Sequence, residues 1–162
     1  MAANDRPLLE ITDLCATFHG EGEDNQVLDR VNLTINPGET VALAGESGSG
    51  KSVTALSILR LLDREAATIT GRIAFDGRDL ATLDEEEMRQ VRGNRIAMIF
   101  QEPMTSLNPV YTVGSQIIES LTIHQGLSET AARRRAIELL GRTGIPDPDQ
   151  RIDSFAHQLS GG

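Results

Sequence analysis

One segment constrains the fold of this chain more than any other, the glycine-rich run Gly45–Ser52, which reads GESGSGKS. It matches the pattern GxxxxGK[ST] at every position. The unbroken apolar run Val41–Ala44 precedes it and is typical of a strand buried on both faces. The segment Ser52–Leu62 follows with apolar residues at helical spacing. This order of elements predicts an α/β fold with a phosphate-binding loop between a buried strand and a helix.

The chemistry of such a loop explains its composition. Glycine permits positive φ and lets backbone N–H groups approach an anion closely. Lys51 supplies positive charge for β- and γ-phosphates, and the Ser52 hydroxyl is a ligand for Mg²⁺. The alternative is a glycine-rich turn whose lysine faces solvent, and the flanking strand and helix favour the loop. The predicted cofactor-binding residues are Gly45, Glu46, Ser47, Gly48, Ser49, Gly50, Lys51 and Ser52.

Strands dominate the first half of the chain. Apolar positions alternate over residues 8–18 with a change of phase at Asp13, which predicts two short strands or one bulged strand. Residues 19–26 are polar and predict a loop. Alternating apolar residues predict a strand at 31–35 and another through Ile73 and Phe75. Asp84 and Glu87 can cap an acidic helix that reaches about Val91. The apolar run Ile96–Phe100 predicts a second buried strand.

The remainder of the chain has a helical pattern only. One predicted helix presents Val113, Ile117, Ile118 and Leu121 on one face. Ser128 can cap another helix, which carries Ala132, Ile137 and Leu140. We therefore expect a tail at 1–7, a partial core at 8–109 and a helical subdomain at 110–162.

Composition excludes several classes. The 162 residues hold 15 basic and 24 acidic side chains, a formal charge of −9, which argues against a protein that coats nucleic acid. The longest apolar run, Ile96–Phe100, is far shorter than the roughly 18 residues of a membrane span. The single cysteine, Cys15, excludes an internal disulfide framework in this chain. These features favour a cytosolic globular chain.

Two further motifs extend the interpretation. Gln101 directly follows the apolar run Ile96–Phe100, and Leu159–Gly162 reads LSGG. Together with Gly45–Ser52, in this order, they resemble the Walker A loop, glutamine loop and signature of the ATP-binding cassette (ABC) ATPases. The runs GESGSGKSVT and MIFQEPMTSLNP, with His157 and Gln158 before the signature, look like the oligopeptide, dipeptide and nickel importer branch. Within that branch, Val53–Leu56 and Val113–Ile117 are similar to glutathione importers.

The resemblance implies a fold and site roles. The fold would be a P-loop NTPase nucleotide-binding domain, truncated, with antiparallel strands, a partial RecA-like core and a helical subdomain. Phe18 would stack on adenine, unless it is an ordinary core residue. Gln101 would sense Mg²⁺ and the attacking water, unless it only satisfies local backbone. Ser160, Gly161 and Gly162 would contact the γ-phosphate of ATP held by a second cassette, unless the motif is only a helix cap.

The resemblance also implies partners and a location. The cofactors would be ATP and Mg²⁺. The partners would be membrane permease subunits, a second cassette and, indirectly, a solute-binding protein, with no nucleic acid. The chain would lie peripherally on the cytoplasmic face of the inner membrane and serve an ATPase that drives uptake of peptides, with glutathione as one candidate.

The chain ends at Gly162, before the family's second Mg²⁺ anchor and catalytic glutamate. We therefore expect a piece of a longer protein that is inactive by itself, with two buried strands left without neighbours and prone to aggregation. The rival interpretations are a non-catalytic remnant and, less favoured at this net charge, a soluble cassette protein that acts on nucleic acid.

Overall fold

The structure is a computed structural model that describes residues 6–20, 22–100 and 106–159. The backbone divides into two compact units, Met1–Ile96 and Ala97–Gly162. The first unit carries a sheet and two helices, and the second carries helices. Each unit has a hydrophobic core of its own.

An antiparallel sheet forms the first unit. Its strands are β1 (Leu9–Phe18), β2 (Asn25–Ile35), β3 (Ala67–Phe75) and β4 (Arg78–Asp79), in the spatial order β2-β1-β3-β4. The strands predicted at 31–35 and through Ile73 and Phe75 are confirmed, and both are longer than their apolar alternation indicates. The loop predicted at 19–26 is shorter, because Asn25 and Gln26 already pair with Phe18 and Thr17.

A bulge interrupts β1 where the sequence changes phase. Asp13 has φ of 48°, and the register to β2 shifts between Ile11 and Leu14. The N–H of Asp13 donates to Oδ1 of Asn32 on β2 (3.0 Å), which satisfies a donor that the bulge removes from the ladder. The predicted bulged strand is confirmed. Because the bulge resets the alternation of the two faces, Ile11 and Leu14 are both buried in the core.

Two helices complete the first unit. Helix α1 spans Lys51–Ile58, and α2 spans Glu85–Val91 after a 3₁₀ turn at Leu80–Thr82. The Asp84 side chain accepts from the N–H of Glu87 (2.8 Å), and the Glu87 carboxylate accepts from the N–H of Asp84 (3.1 Å). This reciprocal capping box confirms the predicted acidic helix. The fully buried side chains Leu14, Leu80 and Met88 pack in the core of this unit.

Helix α1 is shorter than predicted. The sequence pattern continues to Leu62, but Arg60 has φ of 51° and the N–H of Leu61 donates to the carbonyl of Leu56 (3.0 Å). This is the termination geometry in which glycine is usual, and the arginine gives no such signal in the sequence. The Arg60 guanidinium donates to the carbonyls of Leu80 (3.1 Å) and Leu83 (2.7 Å), which holds the turn in place.

The two predicted buried strands are wrong in this structure. Residues 41–44 form no strand, and the side chains of Val41 and Leu43 are exposed. In the second segment, Ile96 makes a single β-bridge among the described residues, to Arg92, and Ile99 is 92% exposed. A strand needs a neighbour to accept and donate its backbone hydrogen bonds, and the described sheet ends at β2 and β4 without reaching either segment.

The second unit is helical, and the helices predicted through Val113 and after Ser128 are both present. Helices α3 (Val113–Gln125) and α4 (Glu129–Arg142) are followed by the short α5 (Pro148–Arg151) and a 3₁₀ turn at Ala156–Gln158. Ser128 caps α4 by accepting from the N–H of Ala131 (3.4 Å), so the predicted cap is confirmed. The buried core residues are Val113, Leu121, Ala132, Ala136, Leu140, Ile152 and Ala156. Across residues 6–20, 22–100 and 106–159, no helix is long and apolar enough to cross a bilayer.

A bidentate ion pair joins α4 to the segment after α5. The Arg133 guanidinium donates to Oδ1 and Oδ2 of Asp153 at 2.8 and 2.6 Å. The hydrogen bond from Arg133 lowers the pKa of the Asp153 carboxyl below its usual value. A carboxyl group whose pKa is lower in the folded state than in the unfolded state stabilises the fold. This stabilisation is fully present at pH values above the unfolded-state pKa, and it is lost as the pH falls through the folded-state pKa.

We predict that Arg133→Gln returns the pKa of Asp153 towards its ordinary value and removes this acid-dependent part of stability. Carboxyl-carbon NMR titration of Asp153 in both proteins measures the change. Arg134→Gln is the matched control, because Arg134 is the exposed neighbour on the same helix and makes no ion pair among the described residues. Identical Asp153 titration curves in wild type and Arg133→Gln would contradict the assignment.

Candidate functional site

The glycine-rich loop, residues 45–50, directly precedes α1. Gly48 and Gly50 have φ of 81° and 88°, which a side chain would strain, so these positions need glycine. The N–H of Ser49 donates to the carbonyl of Glu46 (3.2 Å) and closes a tight turn. Helix α1 begins at Lys51, and its N-cap residue, Gly50, has no side chain that could cap it. Among the described residues no side chain accepts a hydrogen bond from the first N–H groups of α1, so these groups suit an anion.

Lys51 is tied to its own loop. Its Nζ donates to the carbonyls of Gly45 (2.7 Å) and Glu46 (2.6 Å) and to the hydroxyl of Ser49 (3.2 Å). These contacts place the ammonium group inside the curve of the loop. Lys51 therefore makes its hydrogen bonds within its own loop, and its role as a phosphate ligand stays a prediction. A positive charge thus lies within a curve of backbone, beside the uncapped start of a helix.

The loop is anchored to the sheet through Gly50. A Cβ built on this residue would lie 2.5 Å from Cδ2 of Leu28 and 3.3 Å from the carbonyl oxygen of Val27, both on β2. Leu28 is buried in the core. In the first turn of α1, Thr54 Oγ1 donates to the carbonyl of Gly50 (3.0 Å), which satisfies a buried hydroxyl. The close approach fixes the position of the loop on a rigid strand.

The remaining predicted loop residues are accessible. Glu46, Ser47, Gly48 and Ser52 are exposed, so an anion or a cation can reach their backbone or side chains from solvent. The Ser52 hydroxyl stays a predicted Mg²⁺ ligand. Among the described residues, no group of three or more His, Cys, Asp or Glu side chains could hold a metal. A cation bound at Ser52 would therefore need ligands from phosphate, water or residues outside the described ranges.

Phe18, predicted to stack on adenine, is the last residue of β1 and is half-buried. It pairs with Asn25 on β2 and Ala67 on β3. Its role stays a prediction. The other predicted site residues, Gln101, Ser160, Gly161 and Gly162, lie outside the residues that the structure describes.

Sequence reasoning missed one contact at this site, the hydrogen bond from Lys51 Nζ to the Ser49 hydroxyl. The pattern GxxxxGK[ST] leaves position 49 free, so it carries no signal for this contact. A methyl group on Gly45 would come 2.5 Å from Ser49 Oγ, so the hydroxyl occupies the space over that glycine. The first glycine of the pattern therefore leaves room for the Ser49 side chain.

Comparison with known proteins decides the family. The model of the ABC transporter family matches residues 28–162, most of the chain, including the loop described above. The chain belongs to the ABC transporter family. The resemblance carried by the Walker A, glutamine-loop and signature sequences is thereby confirmed. So is the expected fold class of a nucleotide-binding domain with an antiparallel N-terminal sheet followed by helices.

Curated members of the family include proteins named for transport. The chain is 52% identical over 160 residues to a peptidoglycan transport ATP-binding protein of Agrobacterium fabrum, covering 98% of this chain and 29% of that protein. It is 52% identical over 163 residues to a putative peptide import ATP-binding protein of Brucella abortus, covering 97% of this chain and 48% of that protein. The chain spans less than half the length of either relative.

Solved ABC structures share its fold. A dimeric bacterial ABC transporter cassette, MJ0796, matches with a TM-score of 0.79 and 28% identity, covering 94% of this chain and 63% of that one. The post-hydrolysis dimer of the same cassette, bound to ADP and Pi, matches with a TM-score of 0.77 and 26% identity, with the same coverage.

Proposed function

We propose that this chain is part of an ATP-binding subunit that couples ATP binding and hydrolysis to the import of peptides. One observation carries the proposal: Lys51 is held inside a glycine-rich loop, at the uncapped N-terminus of α1. That arrangement matches what a polyphosphate requires, namely a cation, free amides and a favourable helix dipole. Lys51 would bind the β- and γ-phosphates of ATP, and Ser52 would bind Mg²⁺.

The other predicted residues complete the proposal. Phe18 would contact the adenine, and Gln101 would bind Mg²⁺ and orient water. Ser160, Gly161 and Gly162 would bind the γ-phosphate of ATP on a second cassette. Bound ATP would supply the phosphoanhydride whose cleavage drives transport, while this chain's residues position and neutralise its charge. The dimeric state named for the MJ0796 structures supports pairing with a second cassette.

The proposed substrates are short peptides, and glutathione is the finer candidate. The names of the Brucella relatives, which are putative peptide import proteins, support the class. The proposed partners are membrane permease subunits and, through them, a solute-binding protein. The proposed location is peripheral, on the cytoplasmic face of the inner membrane. An acidic chain of net charge −9 disfavours the rival in which the cassette acts on nucleic acid.

Uptake measurements on the intact polypeptide that carries this sequence test the proposal. We expect permease subunits to co-purify with it from solubilised membranes. We also expect ATP-dependent entry of labelled dipeptides or glutathione into vesicles that contain the complex. A peptidoglycan-derived muropeptide is the competing substrate. Recovery of the polypeptide bound to nucleic acid and free of permease, with no peptide uptake, would contradict the proposal.

A second candidate is a remnant that does not turn over ATP. The observation that favours it is the exposure of apolar side chains in both predicted core strands, with Leu43 at 50% and Phe100 at 44%. Steady-state phosphate release separates the two candidates. If the chain is part of a transport ATPase, the intact polypeptide releases phosphate at a rate that depends on Lys51. If the chain is a remnant, no phosphate is released.

A further inference from the structure

The three hydrogen bonds of Lys51 differ in kind. An ammonium group has three N–H donors and no acceptor, so three partners saturate it. Two of its partners are the carbonyls of Gly45 and Glu46, which belong to the loop backbone. The third is the Ser49 hydroxyl, which is the longest of the three contacts at 3.2 Å and the only one to a side chain. All three donors are therefore occupied by the protein itself.

Any phosphate that binds Lys51 must take one of these donors. The Glu46 carbonyl also accepts the N–H of Ser49 in the turn of the loop, and both carbonyls are backbone groups that cannot turn away without moving the loop. The hydroxyl can rotate about its own Cα–Cβ bond without moving the backbone. A phosphate oxygen is also a stronger acceptor for an ammonium than a neutral hydroxyl, because the bond is charge-assisted on both sides. The exchange therefore favours phosphate at the Ser49 contact.

We propose that the Ser49 hydroxyl is a placeholder for a phosphate oxygen. In the nucleotide-free protein it accepts the third N–H of Lys51 and keeps the ammonium aimed into the loop. When a nucleoside triphosphate binds, a phosphate oxygen replaces the hydroxyl at that N–H, and the two carbonyl contacts persist. Ser49 thus acts as a positioning residue that competes with the ligand and lowers its affinity. This inference rests on the proposed nucleotide-binding function.

The sign of one substitution distinguishes a placeholder from a direct phosphate ligand. Removing the hydroxyl in Ser49→Ala frees one donor of Lys51 in the unbound state. We expect the ATP affinity to rise roughly two- to ten-fold, because ATP no longer has to break the hydrogen bond between Lys51 and Ser49 when it binds. Isothermal titration of the intact polypeptide measures it. An ATP affinity that is unchanged or weaker in Ser49→Ala would overturn the placeholder, because loss of a hydroxyl that binds phosphate directly would lower the affinity.

A permanent anion at the same position should have the opposite effect. In Ser49→Asp the carboxylate would pair with Lys51, and we expect ATP affinity to fall about 100-fold or more. Thr40→Asp is the matched control, because it adds the same charge at an exposed position before the loop, outside the predicted binding residues 45–52. A loss as large in Thr40→Asp would overturn a specific role for position 49.

The reactivity of Lys51 provides a readout that a structural role would not change. Lys51 is the only lysine in these 162 residues, so one peptide reports it after brief acetylation and mass spectrometry. We expect faster acetylation in Ser49→Ala than in wild type, and protection by ATP in both. Equal rates without nucleotide would overturn the proposal. If Lys51→Ala leaves ATP binding intact, the proposed function fails; if only the Ser49 results are absent, the placeholder alone fails.

Discussion

Lys51→Ala is expected to reduce the affinity for Mg·ATP by about 100-fold or more, close to 3 kcal/mol. The Nζ of this residue lies inside the loop on the carbonyls of Gly45 and Glu46. Truncation removes the cation that would oppose the charge of the β- and γ-phosphates, and it leaves those carbonyls without their donor. Titration of the intact polypeptide with ATP at constant Mg²⁺ measures the loss.

Two comparisons make this result specific. Arg134→Ala removes the same formal charge from an exposed position on α4, and we expect it to leave ATP affinity unchanged. AMP lacks the β- and γ-phosphates, so its affinity should change little in Lys51→Ala. Undiminished ATP binding by Lys51→Ala, or an equal loss in Arg134→Ala, would remove the basis for the nucleotide site.

Gly71→Ala is expected to destabilise the protein by about 3 kcal/mol or more, a fall in Tm of roughly 10 °C. Gly71 lies on β3 with φ of 97°, opposite the bulge of β1. A Cβ there would lie 2.7 Å from the carbonyl carbon of Asp13 and 2.8 Å from Cα of Leu14. These are backbone atoms of the central strand pair, so no side-chain rotation relieves the clash. Urea unfolding of wild type and variant gives the free-energy difference.

Gly38→Ala separates strain from collision. Gly38 also has a positive φ, 76°, but a Cβ there would meet nothing within 4 Å. It should cost only the conformational penalty, about 1 kcal/mol. Equal destabilisation by the two substitutions would show that the approach of β3 to the bulge of β1 does not set the cost at Gly71.

The sequence predicted those features whose causes are local. The phase change at Asp13 predicted the bulge, because strand faces alternate with a period of two residues. Capping residues predicted the starts of α2 and α4, since the side chains that satisfy free N–H groups lie within three residues of them. For the two helix starts the hydrogen-bonding partner is close in the chain, and for the bulge the signal lies in the alternation within β1 itself.

Features that depend on distant partners were not predictable. Val41–Ala44 has the composition of a buried strand, but pairing requires a neighbouring strand, which the described sheet does not provide. Helix α1 ends early because Arg60 reaches the carbonyls of Leu80 and Leu83, and a periodic pattern cannot reveal such a contact. At the site, the pattern predicted the loop and Lys51, whereas the Ser49 contact depends on a rotamer.

Hydrogen exchange with and without Mg·ATP tests the central claim most directly, namely that residues 45–52 hold the triphosphate. The backbone N–H groups of this loop and of the first turn of α1 would become bonded to phosphate oxygens. The account predicts slower exchange at Gly48, Gly50, Lys51 and Ser52 in wild type, and none of this slowing in Lys51→Ala. Saturating ATP binding with unchanged exchange across residues 45–52 would contradict it.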